Sequence, residues 1–184
     1  MATTLLLARH GETDWNRERR WQGQADTPLN EAGLAQARAL AEELAAEPPA
    51  AIYSSDLVRS RETAEIAGAL LGLPVRVDAR LREMDVGSWS GRPVTETHGP
   101  FERPLDRAAA ERNEAFEEMQ ARVLEALQEI AAAHDGERVL VVTHGGPIAA
   151  VWIACGGRLA DRPPAPNCHV RPIRVEGATI AAID

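Results

Sequence analysis

Leu5-Leu6-Leu7-Ala8-Arg9-His10-Gly11-Glu12-Thr13 runs an apolar strand straight into a histidine and a glycine. Far along the chain, Val139-Leu140-Val141-Val142-Thr143-His144-Gly145-Gly146 does the same. Each reads as a buried strand. A buried strand that ends in His-Gly sets an imidazole at its carboxyl edge, where open α/β sheets bind ligands. Two such edges point two imidazoles at one pocket. Arg9, beside the first, makes an anion the expected occupant.

Between these strands the chain alternates strand and helix. Asn30 reads as the N-cap of a helix with the stripe Leu34, Ala37, Leu40 and Leu44, stopped by Pro48-Pro49. Ala51-Ile52-Tyr53-Ser54 is a short strand. Asp56 is placed to cap the next helix, which carries Val58, Ile66 and Leu70 and ends at Gly72. Pro74 to Val77 is a third strand, and residues 84–112 are largely irregular. Phe116, Met119, Val123, Leu127 and Ile130 mark an amphipathic helix that ends near Gly136. Strand 138–143 follows, then a helix from His144 to about Ala154 and a Pro-rich loop at 158–167. Residues 168–183 read as a hairpin turning near Glu176-Gly177. The alternation predicts an α/β protein, a three-layer α/β/α sandwich with a mostly parallel sheet and an antiparallel edge near the end of the chain. A length of 184 residues suits one domain, 1–184, with about 84–112 as a short insert over the pocket.

The net charge of −8 argues against a nucleic-acid binder or a protein held on an anionic membrane surface. No apolar run is long enough to span a membrane. Met1 to Ala8 is too short an apolar stretch for a signal peptide, and no cationic region precedes it. Cys155 and Cys168 lack the spacing of a metal or redox motif. They read as small buried thiols in a reducing cytoplasm. All twenty cations are arginine, the better fork for phosphate or carboxylate.

Candidate chemistry gathers at the strand ends. Arg9, His10, Glu12, Thr13 and Asn16 follow the first strand, and Arg59 lies just inside the helix after the second. Arg82, Glu83 and Asp85 follow the third, and His144 the fourth. A neutral histidine between arginines is a nucleophile suited to phosphorus, because the arginines neutralise the oxygens of the transferred group. Helix N-termini add N–H donors for the same oxygens. The leaving alkoxide needs a proton, which Glu83 can supply.

Other readings compete. A lone histidine after a strand is usually structural, but two His-Gly edges with two arginines favour chemistry. A metal held by His10, His144 and an acid would sit beside two arginines, which is electrostatically awkward. Ser55-Asp56 with a histidine mimics a hydrolase triad, but the Gly-x-Ser-x-Gly elbow is missing. With no lysine, a P-loop is excluded. His98 and His134 read as solvated. His169 opens a strand and reads as structural, though within reach of the pocket. Trp15, Trp21 and Trp89 fall in loops, as pocket walls or as core plugs, and Trp152 falls on a helix.

These residues resemble the histidine phosphatase superfamily, the phosphoglycerate-mutase-like proteins, over nearly the whole chain. Arg9-His10-Gly11-Glu12-Thr13, with Asn16, Gln22-Gly23 and Asp26-Thr27-Pro28-Leu29-Asn30, looks like its signature. Ser54-Ser55-Asp56-Leu57-Val58-Arg59 with Thr63-Ala64 looks like its second arginine motif. Leu81-Arg82-Glu83 with Gly87, Trp89 and Gly91 looks like the acid motif, and Thr143-His144-Gly145 like the second histidine motif. The resemblance implies that His10 becomes phosphorylated and that Glu83 is the proton donor. It implies that Arg9, Arg59 and His144 bind the phosphoryl group, with Asn16, Gln22, Gly23 and Gly145 lining the same pocket. It implies neither a metal nor an organic cofactor.

One stretch departs from the family pattern. Many phosphatase members carry Gly-Gly-Glu-Ser before the long helix, where this chain has Arg112-Asn113-Glu114-Ala115. The expected activity is hydrolysis of a small-molecule phosphate ester through a phosphohistidine. Phosphoglycerate mutase is the alternative, and a non-catalytic phospho-ligand sensor is a third reading. Hydrolysis is favoured because Arg92, Arg103, Arg107 and Arg112 are interleaved with Glu96, Glu102, Asp106 and Glu111. That pattern predicts a solvated segment with little pull on a second anion.

Overall fold

A computed structural model describes residues 1–96 and 114–183. The strands are β1 (Thr3–Arg9), β2 (Ala51–Ser54), β3 (Val75–Val77), β4 (Arg138–Thr143), β5 (Val170–Glu176) and β6 (Thr179–Ala182). Among the described residues they form one sheet in the order β3-β2-β4-β1-β5-β6. The first four are mutually parallel, while β5 runs antiparallel to β1 and β6 antiparallel to β5. The mostly parallel sheet with an antiparallel edge is the expected architecture.

Side chains alternate across the sheet, so adjacent residues serve opposite layers. Leu6, Ala8, Leu140 and Val142 face α2 (Glu31–Leu44) and α3 (Val58–Leu71), where Leu40, Leu44, Ala64 and Ala67 complete one core. Leu5, Leu7, Val139 and Val141 face the other way, onto α4 (Phe116–Ala133) and α5 (Gly145–Ala154). There Met119, Val123, Leu127 and Ile130 form the predicted stripe. Both faces of the central strands are covered, which is why these strands are uninterruptedly apolar. A single turn, α1 (Asp14–Arg17), follows β1.

The decisive pairing is that of β1 with β4. Arg9 is opposite Thr143, and the His10 N–H donates to the Thr143 carbonyl at 2.9 Å. The two His-Gly steps therefore leave the sheet side by side.

Several local expectations hold. Asn30 caps α2, its side chain accepting from the Gly33 N–H at 2.9 Å. Gly72 closes α3 in the left-handed region at φ 71°. The β5–β6 hairpin turns at Gly177.

Two expectations fail. Asp56 does not cap α3. It pairs with Arg82, and Asp26 instead accepts from the Val58 N–H at 2.6 Å. His134 is not solvated. It is 8% exposed, hydrogen-bonded to Glu137 through Nδ1 at 2.7 Å and close to the Tyr53 hydroxyl through Nε2. Both thiols are free but only half-buried. His98, Arg103, Arg107 and Arg112 lie outside the described residues, as does most of the stretch 84–112.

Candidate active site

The sheet's carboxyl edge opens into a cleft of about 1040 Å³. Arg9, His10, Asn16, Gln22, Gly23, Arg59, Glu83 and Gly145 all line it, so the sequence candidates converge. His144 lies just beneath, its ring centre 5.2 Å from that of His10. Glu12 stays outside, accepting from the Asn30 amide, and Asp85 caps the turn at Gly87.

His10 is 2% exposed. Its Nδ1 lies 2.7 Å from the Gly11 carbonyl, which can only accept, so Nδ1 carries the proton and Nε2 the lone pair. Arg59 Nε donates to that lone pair at 3.2 Å. Burial, then Arg59 and Arg9, hold His10 well below the usual histidine range, so the ring is neutral at pH 7. The rest of the Arg59 fork is bound to the Ala25 and Gly23 carbonyls, at 2.7 and 2.8 Å. Burial pulls its guanidinium down to about 10, which leaves it a cation.

Among the described residues, two buried side-chain polar atoms have no partner, Arg9 Nε and His144 Nδ1. Arg9 is anchored through its other end, which donates to the Ala165 carbonyl at 2.9 Å. His144 Nε2 lies 2.7 Å from Ser55 Oγ. An unpartnered guanidinium N–H buried beside an imidazole suits an anion.

Glu83 is the only carboxylate among the described residues lining the cleft. It accepts from the N–H of Gly146 with both oxygens, at 3.0 and 3.1 Å, and from its own neighbour Met84 at 2.9 Å. A side chain at position 146 would collide with Glu83 Oε1, so glycine lets the carboxylate reach the start of α5. Among the described residues no group of three His, Cys, Asp or Glu is placed to hold a metal.

Sequence reading assigned no role to the residues that scaffold this site. Thr63 Oγ1 accepts from the Gly11 N–H at 2.9 Å. Asn167, in the Pro-rich loop, donates to the His10 carbonyl at 2.8 Å. Arg122, on α4, donates to the carbonyls of Arg80, Arg82 and Glu83 and pairs with Glu114. Thr13 and Thr27 both donate to Gln22 Oε1, at 3.0 and 2.6 Å. This leaves the Gln22 amide N–H₂ to face elsewhere. Trp15 and Trp21 line the cleft, and Trp21 packs against Trp89 at 6.0 Å between ring centres. His169 lines a separate apolar cavity behind α5 and takes no part in the cleft.

Residues 5–182 match the model of the histidine phosphatase superfamily, branch 1. The chain belongs to that family. An Arabidopsis thaliana metal-independent phosphoserine phosphatase is 40% identical over 82% of this chain and 68% of its own length. A probable phosphoglycerate mutase of Citrobacter koseri is 36% identical over 98% of this chain and 84% of its own. The native structure of a mycobacterial glucosyl-3-phosphoglycerate phosphatase superposes with a TM-score of 0.79 at 34% identity, over 95% of this chain and 91% of that one. The histidine phosphatase fold and hydrolase chemistry are thus those of this chain. Among the described residues, no helix is long and apolar enough to cross a membrane.

Proposed function

We propose that this histidine phosphatase hydrolyses small phosphate monoesters that carry a second anionic group, with His10 as nucleophile and Glu83 as proton donor. The observation that supports it best is a neutral His10 lone pair beside two buried nitrogens, Arg9 Nε and His144 Nδ1, that have no partner among the described residues. Nε2 of His10 attacks phosphorus, the P–N bond forms and the P–O bond to the alcohol breaks. Glu83 gives its proton to the departing alkoxide. Water then attacks the phosphohistidine, Glu83 takes a proton from it, and phosphate leaves. Arg9, Arg59 and His144 hold the phosphoryl oxygens, while Asn16, Gln22, Gly23 and the N–H of Gly145 line the same subsite.

The second anionic group is suggested by the mouth of the cleft. Arg19 and Arg162 line it. Arg19 closes α1 in the left-handed region at φ 54°, where glycine would be the easy choice. These cations come from residues 19 and 162, outside the 84–112 segment whose interleaved charges predict little pull on a second anion. Val86 and Val94 on the cleft wall support that segment as a cover within one domain. Free thiols fit the cytoplasm.

Phosphoglycerate mutase chemistry is the second reading, favoured by the Citrobacter relative and by the same rim arginines. One assay separates them. Purified protein should release free phosphate from phosphoserine and phosphoglycerates, faster than from neutral alkyl phosphates. Interconversion of 2- and 3-phosphoglycerate should stay minor even with a bisphosphoglycerate primer. Prolonged dialysis against EDTA should leave the rate unchanged. Mutase turnover exceeding phosphate release by about tenfold, roughly 1.4 kcal/mol of barrier, would overturn the hydrolase assignment.

A further inference from the structure

We propose that Ser55 is a positioning residue: its hydroxyl donates to Nε2 of His144, fixes the proton on Nδ1, and so makes His144 a hydrogen-bond donor to the phosphoryl group. This rests on the reading of the cleft as a phosphoryl-transfer site.

Both side chains are 0% exposed, and Ser55 Oγ lies 2.7 Å from His144 Nε2. The sheet order brings them together. Ser55 follows β2 directly, its N–H reaches the Val142 carbonyl at 3.3 Å, and His144 follows β4. A second serine braces the segment. Ser54 Oγ donates to the Ser55 carbonyl at 2.8 Å and is linked to Ser60, which donates to the Val142 carbonyl.

A neutral imidazole bonded to a hydroxyl has two states. In one, Nε2–H donates to Ser55 and Nδ1 is a bare lone pair. In the other, Ser55 O–H donates to Nε2 and Nδ1–H is a donor. The first leaves the serine hydrogen without an acceptor, since Oγ has no other partner among the described residues. It also sets a lone pair against an incoming anion. The second satisfies Ser55 and leaves one donor, Nδ1–H, buried and unused. Arg9 Nε is the other buried, unused donor of the same site. Two such vacancies are consistent with acceptors that arrive with the substrate. The ring is neutral, because burial first and then Arg59, His10 and Arg9 hold His144 well below the usual range. Ser55 itself does not line the cleft, so the triad-like Ser55-Asp56 pair supplies no nucleophile.

The test is ¹⁵N NMR of the full chain labelled in histidine, with His144 assigned through a His144→Asn variant. The wild-type spectrum should show His144 protonated at Nδ1 and bare at Nε2. Ser55→Ala should mix the two states of His144 while leaving His10 unchanged. It should weaken vanadate inhibition about tenfold or more, the size of a hydrogen bond to a charged group. kcat should fall by a similar factor, with KM changed less. A wild-type His144 protonated at Nε2 would overturn the proposal. So would a Ser55→Ala protein with unchanged ring protonation and a vanadate constant within about twofold. The wild-type spectrum decides by itself if the variant does not fold. A protein that hydrolyses no ester but gives the expected spectrum and vanadate response would overturn the phosphatase reading, and leave the role of Ser55 standing.

Discussion

His10 owes its readiness to its surroundings. Buried beside two guanidinium groups, it is more stable neutral than charged, and the Gly11 carbonyl fixes the proton on Nδ1 and leaves the lone pair on Nε2. His10→Ala should lower turnover by at least ~10³-fold, since covalent catalysis is removed. Mass spectrometry should locate acid-labile phosphate on His10 of the wild type. The acid depends equally on its neighbour. Glu83→Gln should slow esters of poor leaving groups much more than aryl phosphates, whose leaving group needs little protonation. Gly146→Ala should give the same signature from the other side, because the new methyl displaces the Glu83 carboxylate. Comparing alkyl and aryl phosphates in both variants checks this, and equal losses on the two classes would move the acid role elsewhere.

Among helices and loops, α4 holds Glu83 in place. Arg122 grips three carbonyls of the 80–83 segment while its charge is met by Glu114 at 2.5 Å. Arg122→Met strands a mostly buried Glu114, and urea unfolding should show a loss of about 3 kcal/mol. The start of the same helix has slack. Ala115 is the N-cap and offers no side-chain acceptor, although Glu118 reaches back to its N–H at 2.9 Å. Ala115→Ser should complete the capping box and add about 1 kcal/mol by the same measurement. What the sequence reveals here follows from range. The strands, the α4 stripe and Asn30 are legible because periodicity and caps are local signals. Asp26, Asn167 and Arg122 act 32, 157 and about 40 residues from their partners, so no window of sequence connects them. His134 misleads for the same reason: its Tyr53 partner comes from β2.

Across the molecule, the two buried histidines couple stability to pH. Both have folded-state values well below 6.5, the value of an exposed ring. Below about pH 6.5 the unfolded chain therefore binds protons that the folded chain refuses. Stability is full above that pH and falls as acid is added. The slope approaches about 1.4 kcal/mol per pH unit for each ring. Unfolding by urea at pH 7.5 and pH 5.5 should show the loss, and vanadate should raise the stability at both pH values by binding the folded form. The four motifs and their gathering at one strand edge were legible, but the strand order that achieves it, β3-β2-β4-β1-β5-β6, was not, because it depends on pairings between distant segments.

That order also sets a timetable. The strand that leads into His10 is held on one side by residues 138–143 and on the other by 170–176. Contacts over such separations are slow to form, because loop closure precedes their reward. Until both late segments have docked, His10 has no Thr143 carbonyl to anchor its backbone and no Asn167 amide to hold its carbonyl. The anchors of His10 are therefore complete only once both late segments have docked. A chain caught part-way carries an unactivated imidazole and spares the phosphate esters around it.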